Sequence, residues 1–330
     1  MSDKSLGRLQ KVELREVWVS ESTEFTPWLA QPENLKLLGE TIGMDLEFEA
    51  QEKNVGPFRA DILCKDTATD SWVLIENQLE RTDHGHLGQL LTYAAGLDAV
   101  TIVWVAERFT EEHRAALDWL NERTDDKITF FGLEVELWRI GESLIAPKFN
   151  IVSKPNDWAK TISETAKQLQ AGVVSETKQL QQELWAEFRK YLETSHSFLK
   201  ATKPLPQHWM NLAIGRSGFK LLATLNTAKS RIGAAMVMYD SRAKIFFHAL
   251  QQQQPQIESE LGWPLEWQEL PGKKESRLAL YLPNVDPSDR KKWPEICAWL
   301  QQRLEKMHKV LATRVKALDS QISDSANESE

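Results

Sequence analysis

Residues 72–79 read Trp-Val-Leu-Ile-Glu-Asn-Gln-Leu. An apolar run of this kind predicts a strand covered on both faces, yet Glu76 sits in its middle. A carboxylate there costs several kcal/mol unless it is paired or bound to a metal, so the fold must bring a partner to it. Residues two apart on a strand share a face, and Glu76 and Gln78 therefore project together. The preceding run, Phe58–Lys65, is a second strand and carries Asp61 in Arg59-Ala-Asp-Ile-Leu-Cys. The polar cluster Asp66-Thr-Ala-Thr-Asp-Ser71 joins the two as a hairpin. Two carboxylates from adjacent strands then converge at one end of the hairpin, with the Asn77 carbonyl between them. Such an oxygen-only ligand set suits Mg²⁺ or Mn²⁺.

The flanking sequence predicts the rest of a first domain over residues 1–155. Pro32–Gly43 is a helix, with proline in its first turn, apolar Leu35, Leu38 and Ile42, and glycine as the stop. Asp45–Val55 alternates as a half-buried strand punctuated by Gly56-Pro57. Asp83 caps a helix that closes near Gly96, Val100–Val105 is a buried strand, Thr110 caps a helix to Asn121, and Ile128–Ile140 is a long strand. The order is αβββαβ with a further helix and strand, a mixed α/β layer fold. Pro155-Asn156 marks the exit. Residues 156–194 read as a connecting helix, with Leu180, Leu184, Phe188 and Leu192 on one stripe. Residues 195–320 read as a smaller α+β domain with a mostly antiparallel sheet, and 321–330 as a disordered acidic tail.

Asp61, then Glu76-Asn-Gln78 after a hairpin, then a helix, resembles the PD-(D/E)xK nuclease superfamily, the restriction-endonuclease-like fold. The following helix carries Gln89-Leu-Leu-Thr-Tyr93, similar to the Q-x-x-x-Y element of RecB-like members, and the preceding helix carries Glu40, where many members place a third acid. The first domain also resembles bacterial proteins that pair such a core with a C-terminal domain of unknown function, which extends the resemblance over nearly the whole chain. The resemblance implies a metal-dependent nuclease that hydrolyses phosphodiester bonds, in DNA foremost, in phage defence or DNA repair. Asp61, Glu76 and the Asn77 carbonyl would hold Mg²⁺ or Mn²⁺, with Glu40 as an outer ligand. Gln89 and Tyr93, four apart on one helix face, would position a phosphate or the Gln78 side chain. His84 and His86, directly after the E-x-Q strand, would line the cleft.

Two positions depart from the family pattern. Ala60 stands where proline is usual, a common variation. Gln78 replaces a lysine that orients or helps deprotonate the attacking water, and an amide is uncharged and no base. The alternative reading is therefore a catalytically inactive relative kept as a nucleic-acid-binding or protein-interaction module.

Composition narrows the remaining classes. Hydrophobic residues make up 42% and charged residues 27% of 330, ordinary for a globular chain. Two cysteines, Cys64 and Cys297, exclude a disulfide framework and a cysteine-rich zinc site. No P-loop, G-x-G-x-x-G or G-x-S-x-G occurs. The absence of any apolar run of about 18 residues and of a signal core leads to the expectation of a cytoplasmic protein with no membrane partner. Charge is uneven. Residues 1–150 carry 15 Lys+Arg against 28 Asp+Glu, a net of -13, and the remainder carries 25 against 20, a net of +5. A basic half beside an acidic one fits a nucleic-acid partner. The C-terminal domain is expected to handle substrate or to form a homodimer. Tryptophans 18, 28, 72, 104, 119 and 138 fall at core positions of the pattern, and Trp263, Trp267, Trp293 and Trp299 are read as packing.

Overall fold

A computed structural model describes residues 6–55, 58–96, 100–124, 128–155 and 176–327. The expected punctuation at Gly56-Pro57 and the expected helix over 156–175 lie outside the described residues. The chain divides into two compact units, one of residues 1–65 and 71–157, the other of residues 66–70 and 158–330.

In chain order the first unit holds β1 (Leu9–Val12), α1 (Leu14–Val17), a π-helical turn (Glu21–Phe25), α2 (Thr26–Leu29), α3 (Pro32–Ile42), β2 (Leu46–Val55), β3 (Phe58–Asp66), β4 (Trp72–Arg81), α4 (His84–Gly96), β5 (Val100–Arg108), α5 (Glu111–Arg123), β6 (Ile128–Ile140) and β7 (Ala146–Ser153). The expected αβββαβ order runs from α3 to β5, with α5 and β6 following, in a mixed α/β fold compatible with the restriction-endonuclease-like architecture and joined to an α+β domain. The seven strands make one sheet in the order β1-β6-β5-β4-β3-β2, with β7 also on β6. β4, β5 and β6 run parallel, while β3–β4 is an antiparallel hairpin.

Local chemistry places the helices. Pro32 opens α3 and Gly43, at φ +77°, closes it in the left-handed region that suits glycine. The Thr110 hydroxyl caps α5 by accepting from the His113 N–H. Helices cover both faces of the sheet. Leu35, Leu38 and Ile42 of α3 pack with Ile62, Cys64, Val73 and Ile75 on one side. Leu90 and Tyr93 of α4 and Leu117 of α5 pack with Leu63, Leu74 and Trp104 on the other. Central strands sandwiched this way must be apolar on both faces, which is why Glu76 stands out. Trp119 departs from the core expectation: it lies on the outer face of α5, 58% exposed.

The second unit holds α6 (Glu176–Thr194), β8 (Trp209–Leu212), β9 (Phe219–Asn226), β10 (Arg231–Met238), α7 (Ala243–Gln251), α8 (Gln254–Leu261), β11 (Glu266–Gln268), β12 (Ser276–Pro283) and α9 (Trp293–Asn327). Its five strands, ordered β11-β12-β10-β9-β8, pair antiparallel throughout. The stripe of α6 corrects the idea of a mere connector. Leu184, Trp185, Phe188 and Leu192 are buried in the core shared by β9, β10, α7, α8 and α9, so α6 is a structural member of this unit. The expected disordered tail at 321–330 is also corrected. α9 continues to Asn327, because each residue added to an existing helix gains a backbone hydrogen bond without a new nucleation step; residues 328–330 lie outside the described ones. Trp263, Trp267, Trp293 and Trp299 all pack on this core.

Candidate active site

The hairpin register pairs Ile62 with Ile75 and Leu63 with Leu74. Asp61 and Glu76 fall one step further along, on the face that carries α4. Their contacts are reciprocal. The Asn77 N–H donates to Asp61 Oδ2 at 2.9 Å, and the Asp61 N–H reaches Glu76 Oε1 at 3.4 Å. Glu76 is only 3% exposed. Burial first, and the Asp61 charge second, push its carboxyl up to about 8, while the Asp61 N–H and the Tyr93 hydroxyl pull part of the way back. Tyr93, in turn, is pushed up by burial and by the Glu76 charge. Its hydroxyl donates to Glu76, which makes it a partner of the carboxylate and leaves it no free role as a phosphate ligand.

The third acid is Glu21, which the sequence reading did not single out. Its charge adds to the push on Glu76, and its Oε2 accepts the Leu79 N–H at 2.9 Å. It lies in the π-helical turn, whose Ser20 cap accepts from the Thr23 N–H. A π turn widens the helix by one residue and re-aims its side chains, a distortion frequent at functional sites. Glu40 is not part of this group. It sits on the solvent side of α3, its side chain 55% exposed, ion-paired with Lys36 at 3.9 Å.

Gln78 is only 2% exposed, and its amide is fully engaged. Its Oε1 accepts the Trp104 indole N–H at 2.9 Å, and its Nε2 donates to the Arg81 carbonyl at 2.9 Å and to Asp83 Oδ2 at 3.2 Å. Asp83 also holds His86, with Oδ2 2.7 Å from Nδ1 and Oδ1 3.0 Å from the backbone N–H. Burial opposes ionisation of Asp83, but hydrogen bonds from His86 and Gln78 hold its carboxyl below the ordinary value. His84 lies against a different partner, its Nδ1 2.9 Å from His113 Nε2, while His113 Nδ1 meets the Thr82 hydroxyl at 2.8 Å. Burial, then the His84 charge, keeps His113 below the usual histidine value. Gln89 is exposed on α4. The structure thus brings together Asp61, Glu76, Asn77 and Tyr93, and in a second, adjoining network Gln78, Asp83 and His86. Glu40 and Gln89 stand apart from both.

Among the described residues no group of three or more His, Cys, Asp and Glu side chains gathers closely enough to cage a metal. Mg²⁺ usually binds through one or two carboxylates and keeps several waters. Burial first and the Asp61 charge second raise the Glu76 carboxyl, and a positive charge placed there would offset both. No helix among the described residues is long and apolar enough to cross a membrane.

Residues 180–315 match a family described as a domain of unknown function, DUF4268. Three solved structures are similar to parts of the chain. A repair endonuclease from Pyrococcus abyssi is 20% identical over 31% of this chain and 45% of its own, with a TM-score of 0.25. EndoMS in a complex with double-stranded DNA is 22% identical over 31% of this chain and 42% of its own, also at 0.25. Pyrococcus furiosus SfsA with Ca²⁺ is 14% identical over 39% of this chain and 59% of its own, at 0.20. The chain therefore spans less than two thirds of each of these proteins. No curated protein matches it.

Proposed function

We propose that the first unit is a metal-dependent nuclease that hydrolyses phosphodiester bonds, with DNA as the first substrate to test and defence or repair as its setting. The observation that carries this reading is the opposed pair of Asp61 on β3 and Glu76 on β4, with the Glu76 carboxyl buried in the interior of the sheet. Asp61, Glu76 and the Asn77 carbonyl would hold Mg²⁺ or Mn²⁺, which supplies an acidified water and offsets charge on the phosphate. The chain's own groups prepare that site. The Asn77 N–H fixes Asp61 in its rotamer. The Tyr93 hydroxyl donates to Glu76 and favours its ionised form. Glu21 braces the far end of β4 through the Leu79 N–H.

One observation favours the second reading, an inactive nucleic-acid-binding or protein-interaction module. The Gln78 amide is spent on Trp104, Arg81 and Asp83, so it has no hydrogen left to orient a water. The two readings separate on one experiment. Plasmid, linear and single-stranded DNA, and RNA, are incubated with Mg²⁺ or Mn²⁺ and wild-type, Asp61→Ala or Glu76→Ala protein, with an EDTA control. Metal-dependent cutting abolished in both variants is the expected result. No cutting by any protein, with nucleic-acid binding retained, establishes the second reading instead.

A further inference from the structure

The sheet of the second unit has one face committed to the helices. Phe219, Leu221, Ala223 and Leu225 of β9 enter that core, as do Ile232, Ala234 and Met236 of β10. Their neighbours in sequence must point to the opposite face. There Leu222, Ala235, Val237 and Ala279 form a small apolar floor against which Trp209 and Tyr281 pack. The register sets Gly233 between Thr224 and Tyr281. A Cβ at Gly233 would come within 2.6 Å of the Tyr281 ring and 2.5 Å of the Thr224 hydroxyl, so the phenol ring lies close across the strand where only glycine leaves room. The Arg231 guanidinium stacks over that ring, 3.9 Å from its centroid. Together with Trp209, Lys220 and Arg277 these residues line a cavity of about 400 Å³.

The chemistry of this lining is selective. It joins flat aromatic surface and a shallow apolar floor to three cations, against one carboxylate, Glu275, which already pairs with Arg277. The Lys220 ammonium lies 4.7 Å from the Tyr239 ring centroid, with the Glu275 and Asp70 charges acting on it, and Arg231 is held by its stack on Tyr281. Burial holds the Lys220 ammonium below its ordinary value, a cost that an incoming anion would relieve. Aromatic surface beside a cluster of cations matches an unpaired base with its phosphates. A base inside a duplex presents only its edge and cannot stack in such a cavity.

We propose that this cavity binds a segment of single-stranded nucleic acid, with a base against Trp209 and phosphates on Lys220 and Arg231. The cavity is lined by residues of the second unit, and its occupation does not depend on whether the Asp61–Glu76 pair cuts.

The test is fluorescence anisotropy with the full chain in EDTA, using labelled oligothymidine, oligouridine and a duplex of equal length. Single strands are expected to bind in a salt-sensitive way and at least about ten-fold more tightly than duplex. Trp209→Ala and Arg231→Gln should each weaken binding by about ten-fold, while Lys36→Gln, an exposed change on α3, binds as the wild type does. Lys220→Gln, a change at a half-buried position, provides a third variant if Trp209→Ala fails to fold. Unchanged binding in the cavity variants overturns the proposal, as does failure to bind either single strand. A free mononucleotide that competes as well as the oligonucleotide overturns it in favour of a nucleotide pocket. A concentration-dependent dimer that Trp209→Ala dissolves overturns it in favour of a contact between two copies.

Discussion

Burial, with the Asp61 charge second, pushes the Glu76 carboxyl up to about 8, so at neutral pH it favours its protonated form. This sets a sign for stability. Below about 4.5, the ordinary glutamate value, folded and unfolded chains both hold the proton and Glu76 imposes no penalty. As pH rises toward 8 the unfolded chain loses that proton while the folded chain retains it, so stability falls, with a ceiling of about 5 kcal/mol across the window. Glu76→Gln removes the titration and keeps an acceptor for Tyr93. Thermal melts in EDTA should show the variant similar to wild type at pH 4.5 and clearly more stable at pH 9. Saturating Mn²⁺ should reverse that order, raising the wild-type melting temperature and leaving the variant unmoved. A variant that melts below wild type at pH 9 in EDTA would show that Glu76 is a structural ion-pair member. The anomaly of this residue was legible from sequence because an acid directly after the apolar run Trp72-Val-Leu-Ile75 requires a partner, an ion pair or a cation. Glu21 was not. It lies in a short polar turn, Glu21-Ser-Thr-Glu24, with no periodicity, and only the tertiary pairing of its carboxylate with the β4 backbone marks it.

The elements that sequence predicts are those whose local signals agree. α3 has proline, an apolar stripe and a glycine stop, and α5 has a threonine cap and acids in its first turn. β6 is legible to the residue because its thirteen positions are rich in aromatic and β-branched residues and alternate from Leu133 to Leu137. β1 and β8, four residues each, carry too few positions for a period of two to be seen. They become strands through their partners, β1 through the register Leu9–Ile140 to Val12–Leu137 and β8 through Trp209–Thr224. α6 shows a different limit. Periodicity reports that a helix has a buried face but not which body buries it. The packing of Phe188 beside Leu184 and Trp185 answers that question. Phe188→Ala should therefore lower the stability of the second unit by about 3–5 kcal/mol, read as lost amide protection in β9 and β10 by hydrogen exchange. Protection lost in β4 and β5 instead would place α6 with the first unit.

On the scale of the whole chain, the charge imbalance acquires a physical use. The half with the acidic pair carries a net of -13 and repels a phosphate backbone, whereas the remainder, at +5, attracts one. In the proposed nuclease a second body would hold the polyanion while the first presents Asp61 and Glu76, which makes holding and cutting separable quantities. Steady-state kinetics can separate them. Trp209→Ala and Arg231→Gln should raise KM for long single strands by about ten-fold and leave kcat within about two-fold, because they remove binding that is equal in ground and transition states. The same variants should hydrolyse a small activated phosphodiester at the wild-type rate, since that substrate is too short to occupy the second unit. Asp61→Ala should do the opposite, abolishing turnover on both substrates while the single-strand affinity stays unchanged. If the cavity variants slow the small diester as much as the long strand, the two units do not divide the work, and the second unit's face supports the fold of the first site and does not deliver its substrate.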